Sequence, residues 1–350
     1  MTEDTYVTDD AYGKNWHAML GDSCERLPEL PDGTADLSIH SPPFNDLFTY
    51  SNSPRDLGNS AGRDTFLAHY RFVVDELYRL TKPGRLACVH VMDLSTTKAT
   101  HGEVGLTDFS GQVVKLYQDA GWTYVARVTI RKPPQATAVR TKAHGLMFVT
   151  LHRDSSQTRP VHPDYLLVFR KPGENAVPVR GDVDNETWIS WAEAVWDETG
   201  ASRKDVISAA ADFWDAEAGL PSREQFLAFV ATLTGQKSAH PLVWDDIREG
   251  NTLNARPARE DADEKHLCPL QLDLIERCVR LWSNPGETVL SPFGGIGSEP
   301  YVAVKLGRRG ISCELKRSYW ETAVKNLSEL EDQLSAPTLF DGFDELGVAS

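Results

Sequence analysis

A glycine-rich turn follows a predicted buried strand near residue 290. In "TVLSPFGGIGSEP" the strand ends at Leu290, glycines stand at 294, 295 and 297, and a helix is expected to begin near Ser298. Glu314 ends the next predicted strand, 17 residues beyond Gly297. This layout is typical of a βαβ unit that binds a nucleoside, because the glycines let a ligand approach the backbone and the carboxylate accepts hydrogen bonds from ribose hydroxyls.

The details of this turn favour one nucleoside over a dinucleotide. A dinucleotide fold requires a third glycine three residues after Gly297, where helix and strand pack closely, and Pro300 stands there. Phe293 is suited to stack on an adenine ring or to contact its edge. A glycine-rich turn that binds no ligand is the alternative. We predict a cofactor site that includes Phe293, Gly295, Gly297, Ser298 and Glu314.

A second candidate site is the corner Ser41-Pro42-Pro43-Phe44, which directly follows a predicted buried strand. Two consecutive prolines fix the backbone and offer no N–H group. The corner therefore presents two groups that can accept hydrogen bonds, the Ser41 hydroxyl and the Pro42 carbonyl. Phe44 adds an aromatic face beside them.

Predicted strands and helices alternate around both motifs. Strands are predicted over 15–20, 34–40, 85–92, 122–130 and 164–173, and helices over 65–81 and 108–121. From 265 the alternation resumes as helix, strand, glycine turn, helix and strand. The pattern predicts an α/β fold whose mixed, mostly parallel sheet is covered on both faces.

The chain divides into five predicted segments. A tail over 1–14 precedes the half that carries the Ser-Pro-Pro-Phe corner, 15–173. The alternation stops over 174–264, a segment rich in tryptophan and acidic residues that we interpret as an insertion. The half with the glycine turn spans 265–330, and an acidic tail spans 331–350.

Composition limits the classes of protein to consider. With 350 residues and 41% hydrophobic content, the chain can form one large domain with an insertion, or two domains. Its five scattered cysteines lack a C-x-x-C pair, so we expect neither disulfides nor a metal site. No stretch approaches the about 20 apolar residues of a membrane span, and the first residues are acidic without an apolar run. We expect a cytoplasmic protein without a membrane partner.

Charge is distributed unevenly along the chain. The net charge of −15 taken alone argues against a nucleic-acid partner, because phosphate contacts require lysine and arginine. Residues 127–171, however, hold nine basic and two acidic residues, a local charge of +7, which leaves −22 for the remainder. This asymmetry favours an acidic body with one basic contact surface, and a solvated charged face is the alternative. The densest basic group is Arg131, Lys132, Arg140 and Lys142.

The two motifs together resemble those of DNA amino-methyltransferases. Ser41-Pro42-Pro43-Phe44 looks like the catalytic tetrapeptide of that family, and residues 293–297 resemble its S-adenosylmethionine loop. The catalytic motif comes first, which is the order of the β class, and the likeness to phage and prokaryotic members covers about 15–172 and 260–328. Ser291 departs from the family, whose members usually have aspartate there. The resemblance implies a Rossmann-like class I methyltransferase fold with a target-recognition region in the insertion.

The resemblance also implies a reaction and its participants. A methyl group would pass from S-adenosylmethionine to an exocyclic amine of a flipped base in double-stranded DNA. Phe44 would stack on that base, the four basic residues of the densest group would contact DNA, and Asp22, His266 and Pro269 would lie at the cofactor. A serine at the first position of the tetrapeptide favours N4 of cytosine, and N6 of adenine stays open. A restriction endonuclease is a further partner that the resemblance allows, in a prokaryotic or phage-infected cell.

Two other functions remain alternatives. RNA and protein-glutamine methyltransferases share a proline-rich tetrapeptide of similar form, although the order of motifs and Ser41 argue against them. A non-catalytic nucleic-acid binder that kept the fold is disfavoured by the intact glycine turn and the intact tetrapeptide.

Overall fold

The computed structural model describes residues 7–43, 55–57, 63–96, 98, 102–103, 105–130, 148–157, 163–192, 243–244, 247–248, 250–258 and 269–336. The strands are β1 Asp9–Tyr12, β2 Trp16–Leu20, β3 Ala35–His40, β4 Thr81–Met92, β5 Leu94–Thr96, β6 Gly105–Thr107, β7 Thr123–Ile130, β8 Asp164–Arg170, β9 Val243–Trp244, β10 Thr288–Ser291 and β11 Arg309–Glu314. The α-helices are α1 Ser23–Arg26, α2 Arg63–Leu80, α3 Phe109–Asp119, α4 Phe148–Arg153, α5 Asn185–Ala192, α6 Leu272–Trp282, α7 Ser298–Lys305 and α8 Arg317–Ser335.

Nine of the described strands form one sheet in the order β1-β2-β11-β10-β3-β4-β8-β7-β9, and β5 pairs with β6 separately. The five neighbouring strands from β2 to β4 run parallel. β8 is antiparallel to both β4 and β7, and β1 is antiparallel to β2. The predicted mixed, mostly parallel sheet is confirmed.

Helices cover the sheet on both faces because the central strands are apolar on both. On one face α2 presents Phe66, Tyr70 and Leu77, at helical spacing, to a core that includes Val89 and Val91 of β4. On the other face Leu274 and Cys278 of α6 pack with Leu37 and Ile39 of β3. Complete burial of each such aliphatic or aromatic side chain contributes roughly 1.5–3 kcal/mol.

The described ends of the predicted insertion pack on the sheet domain. β9 adds an edge strand beside β7. Asp182 forms an ion pair with the buried Arg308 at 2.9 Å, and the Arg277 guanidinium lies 4.6 Å from the ring centre of Trp191. Residues 193–242 lie outside the described residues, so target recognition by this segment stays a prediction.

The parallel strands bring both sequence motifs to one edge of the sheet. β3 ends at His40, directly before Ser41, and β10 ends at Ser291, directly before the glycine turn. β11 ends at Glu314, and β2 ends two residues before Asp22. Ligands of open α/β sheets bind outside the carboxyl ends of their strands, so this edge is the candidate site.

Candidate active site and cofactor pocket

One cavity of about 1110 Å³, including its open mouth, lies at this edge of the sheet. Its size is comparable with the upper end of clefts that bury small ligands, about 300–1,000 Å³. Residues from both motifs line it, so the corner and the glycine turn face a shared space. The predicted site residues in its wall are Asp22, Ser41, Pro42, Pro43, Pro269, Phe293, Gly295, Ser298 and Glu314.

The Glu314 carboxylate is fixed in this cavity by backbone donors. Its Oε2 atom accepts a hydrogen bond from the Gly295 N–H at 2.8 Å, and its Oε1 atom accepts one from the Lys316 N–H at 2.8 Å. Burial raises the pKa of Glu314 to about 7, against the lowering effect of both donors. The carboxylate therefore has one orientation and remaining lone pairs for a ligand's hydroxyl groups.

The two glycines predicted at the cofactor differ in position. Gly295 has a φ of 51°, and a Cβ there would meet nothing within 4 Å, so its backbone faces open space at the cavity wall. Gly297 has a φ of 86°, and a Cβ there would lie 3.0 Å from the Ala323 Cβ atom. Gly297 is thus required for the turn and for close packing of α7 on α8, and the structure does not place it in the cavity wall.

The Phe293 ring packs against the rings of two buried residues, His40 and Tyr70. Its ring lies 5.8 Å from the ring of His40 and 6.1 Å from that of Tyr70, between centroids. His40 Nε2 and Tyr70 Oη are 2.8 Å apart, and complete burial lowers the pKa of His40 to about 3. His40 is therefore neutral, and it supports Phe293 from the end of β3.

Two further acidic residues and one further aromatic residue line the cavity, and no sequence motif predicted them. Asp56 and Glu299 join Asp22 and Glu314 in the wall of the cavity, and Tyr319 adds a second aromatic ring. Burial raises the pKa of Glu299 to about 8. Glu299 lies in the first turn of α7, directly after a predicted residue, and this adjacency was its only signal. The wall also holds two cations, Arg55 and Lys316, so its carboxyl groups point to a ligand with hydroxyl donors and not to a net charge.

Glu299 also predicts a pH dependence of stability. Its pKa is raised from 4.5 to about 8 in the fold, so the folded state holds a proton that the unfolded state releases. The contribution of Glu299 to the free energy of unfolding is thus fully present below pH 4.5 and is lost as pH rises through about 8. The loss is at most about 1.4 kcal/mol per pH unit. Glu299→Gln should unfold at a higher urea concentration than the wild type at pH 8, with the advantage disappearing near pH 5. Equal midpoints at both pH values would contradict the burial of an ionisable carboxyl.

Ser41 contacts one residue of the neighbouring strand β4. Its Oγ atom lies 3.1 Å from the carbonyl oxygen of His90 and 3.3 Å from the His90 Nδ1 atom. On its other side, His90 Nε2 lies 2.9 Å from Asp164 Oδ2. Sequence reasoning identified neither residue as part of a site.

Several predicted residues lie outside the described residues. They are Phe44, His266, Arg131, Lys132, Arg140 and Lys142. Within the described part of the chain, no group of three or more His, Cys, Asp and Glu side chains could hold a metal ion. None of the helices described there combines the length and apolarity that crossing a bilayer requires.

Comparison with known proteins identifies the family. A model of the N6 and N4 methyltransferases, described as DNA methylase, matches residues 35–325. The type II methyltransferase M.MjaI of Methanocaldococcus jannaschii is 20% identical over 327 residues, 86% of this chain and 88% of M.MjaI. The type II methyltransferase M1.MboII of Moraxella bovis is 44% identical over 66 residues, so the match spans 19% of this chain and a quarter of that relative.

Two solved structures show the same fold. TTHA0409 of Thermus thermophilus, a putative DNA modification methylase in complex with S-adenosyl-L-methionine, has a TM-score of 0.53 at 20% identity, over 90% of this chain and 93% of that one. The cytosine-N4-specific PvuII DNA methyltransferase has a TM-score of 0.52 at 14% identity, over 92% and 93%. Because the family model spans most of the sheet and both edge motifs, the chain belongs to the N6 and N4 family of DNA methylases.

Proposed function

We propose that this protein transfers the methyl group of S-adenosylmethionine to the N4 amine of a cytosine flipped out of double-stranded DNA. The observation that supports this most strongly is the shared cavity, whose wall holds Ser41 together with Gly295 and Glu314. A base amine at the corner and a nucleoside at the glycine turn would meet there. Serine at the first position of the tetrapeptide favours cytosine N4 over adenine N6.

The residues of the cavity fit this cofactor. Glu314 would accept hydrogen bonds from the ribose hydroxyls, Phe293 would contact the adenine ring, and Asp22 and Pro269 would lie along the remainder. When bound, the cofactor supplies a methyl group on a positively charged sulfur.

The corner would prepare the amine for transfer. The two prolines fix the backbone, and the Ser41 hydroxyl and the Pro42 carbonyl would accept hydrogen bonds from the amine protons, turning the nitrogen lone pair toward the methyl group. The same acceptors would stabilise the positive charge that develops on the nitrogen. The base must leave the stacked duplex to reach this position, and Phe44 would stack on it, a contact worth roughly 1–3 kcal/mol.

The connection between β7 and β8, which carries the densest basic group, leaves and rejoins the sheet near the corner, and this supports its assignment to DNA. The connection between β7 and β8 leaves the sheet at Ile130 and returns at Asp164, and these two residues pair across the strands. Asp164 also pairs with Met92, two residues beyond His90. Phosphate contacts from this connection would hold the duplex above the cavity. Residues 175–265, with nine basic and eighteen acidic residues, should contribute few phosphate contacts.

The type II relatives support one further partner. A restriction endonuclease with the same target site would act on DNA that this protein leaves unmodified. Methylation by this protein should then protect the site from that nuclease.

Cofactor binding can be tested at Gly295. Asparagine tolerates the left-handed conformation of this residue, and its side chain would enter the open space that the cofactor is proposed to fill. Gly295→Asn should weaken S-adenosylmethionine binding at least about tenfold, about 1.4 kcal/mol, without lowering the melting temperature. Isothermal titration calorimetry measures the affinity.

The matched control is Gly307→Asn. Gly307 also has a positive φ, 74°, with nothing within 4 Å of a Cβ, and it does not line the cavity. Its substitution should leave the affinity unchanged. Equal affinities of the two variants would contradict the position assigned to the cofactor.

The reaction itself is tested by offering three substrates side by side. Labelled cofactor should transfer its methyl group to duplex DNA, and not to RNA or to protein. Transfer to RNA or protein alone would refute the proposed substrate class.

A further inference from the structure

Ser41, His90 and Asp164 form a continuous hydrogen-bonded row behind the catalytic corner. Ser41 Oγ lies 3.3 Å from His90 Nδ1, and His90 Nε2 lies 2.9 Å from Asp164 Oδ2. The His90 side chain is 8% exposed and the Asp164 side chain 1% exposed, so both are removed from water. Only the Ser41 end reaches the cavity wall.

The sheet fixes this row. His40, the last residue of β3, pairs with Val89 of β4, so Ser41 follows beside His90. β8 is antiparallel to β4, and its first residue, Asp164, pairs with Met92 while Leu166 pairs with His90. Asp164 and His90 are therefore diagonal neighbours on one face of adjacent strands, within reach of each other.

Hydrogen-bond chemistry determines the proton on His90. A carboxylate only accepts, so Nε2 must donate to Asp164, and Nδ1 of the neutral ring is left as an acceptor facing Ser41. The serine hydroxyl has a second acceptor nearby, the His90 carbonyl oxygen at 3.1 Å. If Nδ1 gains a proton, it can donate to Ser41 Oγ while the hydroxyl donates to this carbonyl. The row therefore fits a histidine both before and after it accepts a proton.

We propose that His90, held by Asp164, receives through Ser41 the proton that the target amine must lose. This inference rests on the proposed role of Ser41. The amine nitrogen forms a bond to the methyl carbon while the carbon–sulfur bond breaks, and the electron pair of that bond stays on sulfur. The nitrogen then loses a proton to Ser41 Oγ as the hydroxyl proton passes to His90 Nδ1. The resulting imidazolium is paired with the Asp164 carboxylate, and water returns the proton to solvent after release of the product.

His90 and Asp164 are positioning residues in this scheme, because they act through Ser41. The scheme applies equally to an N4 or an N6 amine. Neutral His90 can accept a proton and the imidazolium cannot, so the transfer rate, measured over a range of about pH 5 to 8, should fall as pH decreases.

Other titratable groups surround this position. His40, on the neighbouring strand, stays neutral throughout the range because burial lowers its pKa to about 3. Tyr165, beside Asp164, has a raised pKa, chiefly from burial, and stays protonated there. The charged groups that act on Tyr165 are Asp93, Arg127, Asp108 and Asp164.

The test is the single-turnover rate at saturating labelled cofactor and duplex DNA, measured against pH. His90→Gln cannot accept a proton, so the rate on the plateau at high pH should be about 10²-fold lower than in the wild type. The fall in rate at acidic pH, the acidic limb of the profile, should disappear. The dissociation constants for cofactor and DNA should not change. Asp164→Asn should move the limb to lower pH, because the imidazolium loses its anionic partner.

A second histidine–carboxylate pair provides the control. His17 Nε2 lies 2.6 Å from Asp10 Oδ1 on the hairpin of β1 and β2, and His17 does not line the cavity. His17→Gln should leave the rate and its pH profile unchanged. If circular dichroism shows that His90→Gln does not fold, Asp164→Asn carries the test.

The outcomes separate the two proposals. An unchanged rate and acidic limb in His90→Gln would overturn the relay, and so would an unmoved limb in Asp164→Asn. If those variants are unaffected while Ser41→Ala is slow, the relay fails and the proposed function stands. Full rates in Ser41→Ala would refute the role of the corner itself.

Discussion

Replacing Ser41 with alanine is expected to lower the single-turnover methylation rate by about 10²-fold or more, the usual cost of removing a preorganised polar group from a transition state. Ser41 lies in the cavity wall, and the hydroxyl is the polar group of its side chain. The two prolines that follow fix the backbone at this position. The affinities for cofactor and for DNA should be preserved, because the hydroxyl acts on the amine during transfer. Rapid-quench kinetics with labelled cofactor measure the rate.

Ser38→Ala is the matched control for this variant. Ser38 lies on β3, three residues before Ser41, and its buried Oγ atom has no hydrogen-bond partner among the described residues. Its removal should leave the rate unchanged. If Ser41→Ala retained the full rate, or if both variants lost it equally, the corner would not be the active site.

Replacing Arg131, Lys132, Arg140 and Lys142 with alanine is expected to weaken binding to all DNA sequences and to flatten its salt dependence. Each neutralised phosphate contributes about 0.9 to the slope of log affinity against log salt, so four lost contacts should reduce that slope by about 3.6. Affinity for the cofactor should not change. Fluorescence anisotropy with specific and unrelated duplexes across a range of salt concentrations measures the slope.

A control variant with the same change in net charge distinguishes the loss of specific phosphate contacts from the effect of net charge on DNA binding. Four exposed cations outside 127–171 serve for this purpose, Lys115, Lys305, Arg309 and Lys325. Their substitution should leave the slope close to that of the wild type. Equal slopes in the two fourfold variants would move the DNA surface elsewhere, with residues 45–64 as the next candidate.

The fold, and the edge of the sheet at which the candidate site lies, were predictable because local signals specify them. Prolines mark the end of the buried strand before Ser41, and glycines mark the turn that follows the strand ending near Leu290. Parallel strands bring these two ends to one edge of the sheet. The helix over 65–81 is confirmed as α2, although β4 begins at Thr81 without an intervening loop.

What sequence reasoning missed depends on contacts between distant segments. His90 and Asp164 are 74 residues apart and meet only because β4 and β8 are antiparallel neighbours, a register that neither strand shows alone. Glu299 has no pattern that reveals its burial. Gly297 and Gly295 look equivalent in sequence, and only the packing of α8 assigns one to the interior and the other to the cavity.

The most direct test of the central claim is mass spectrometry of nucleosides from duplex DNA that the purified protein has methylated. We expect N4-methylcytosine, absent when Ser41→Ala replaces the wild type in a single-turnover reaction of equal duration. N6-methyladenine would contradict the assignment of the target base while leaving the corner as the site of amine methylation. The appearance of 5-methylcytosine, or of no methylated nucleoside with intact cofactor and DNA binding, would contradict both the amine as the target of methylation and the corner as the active site.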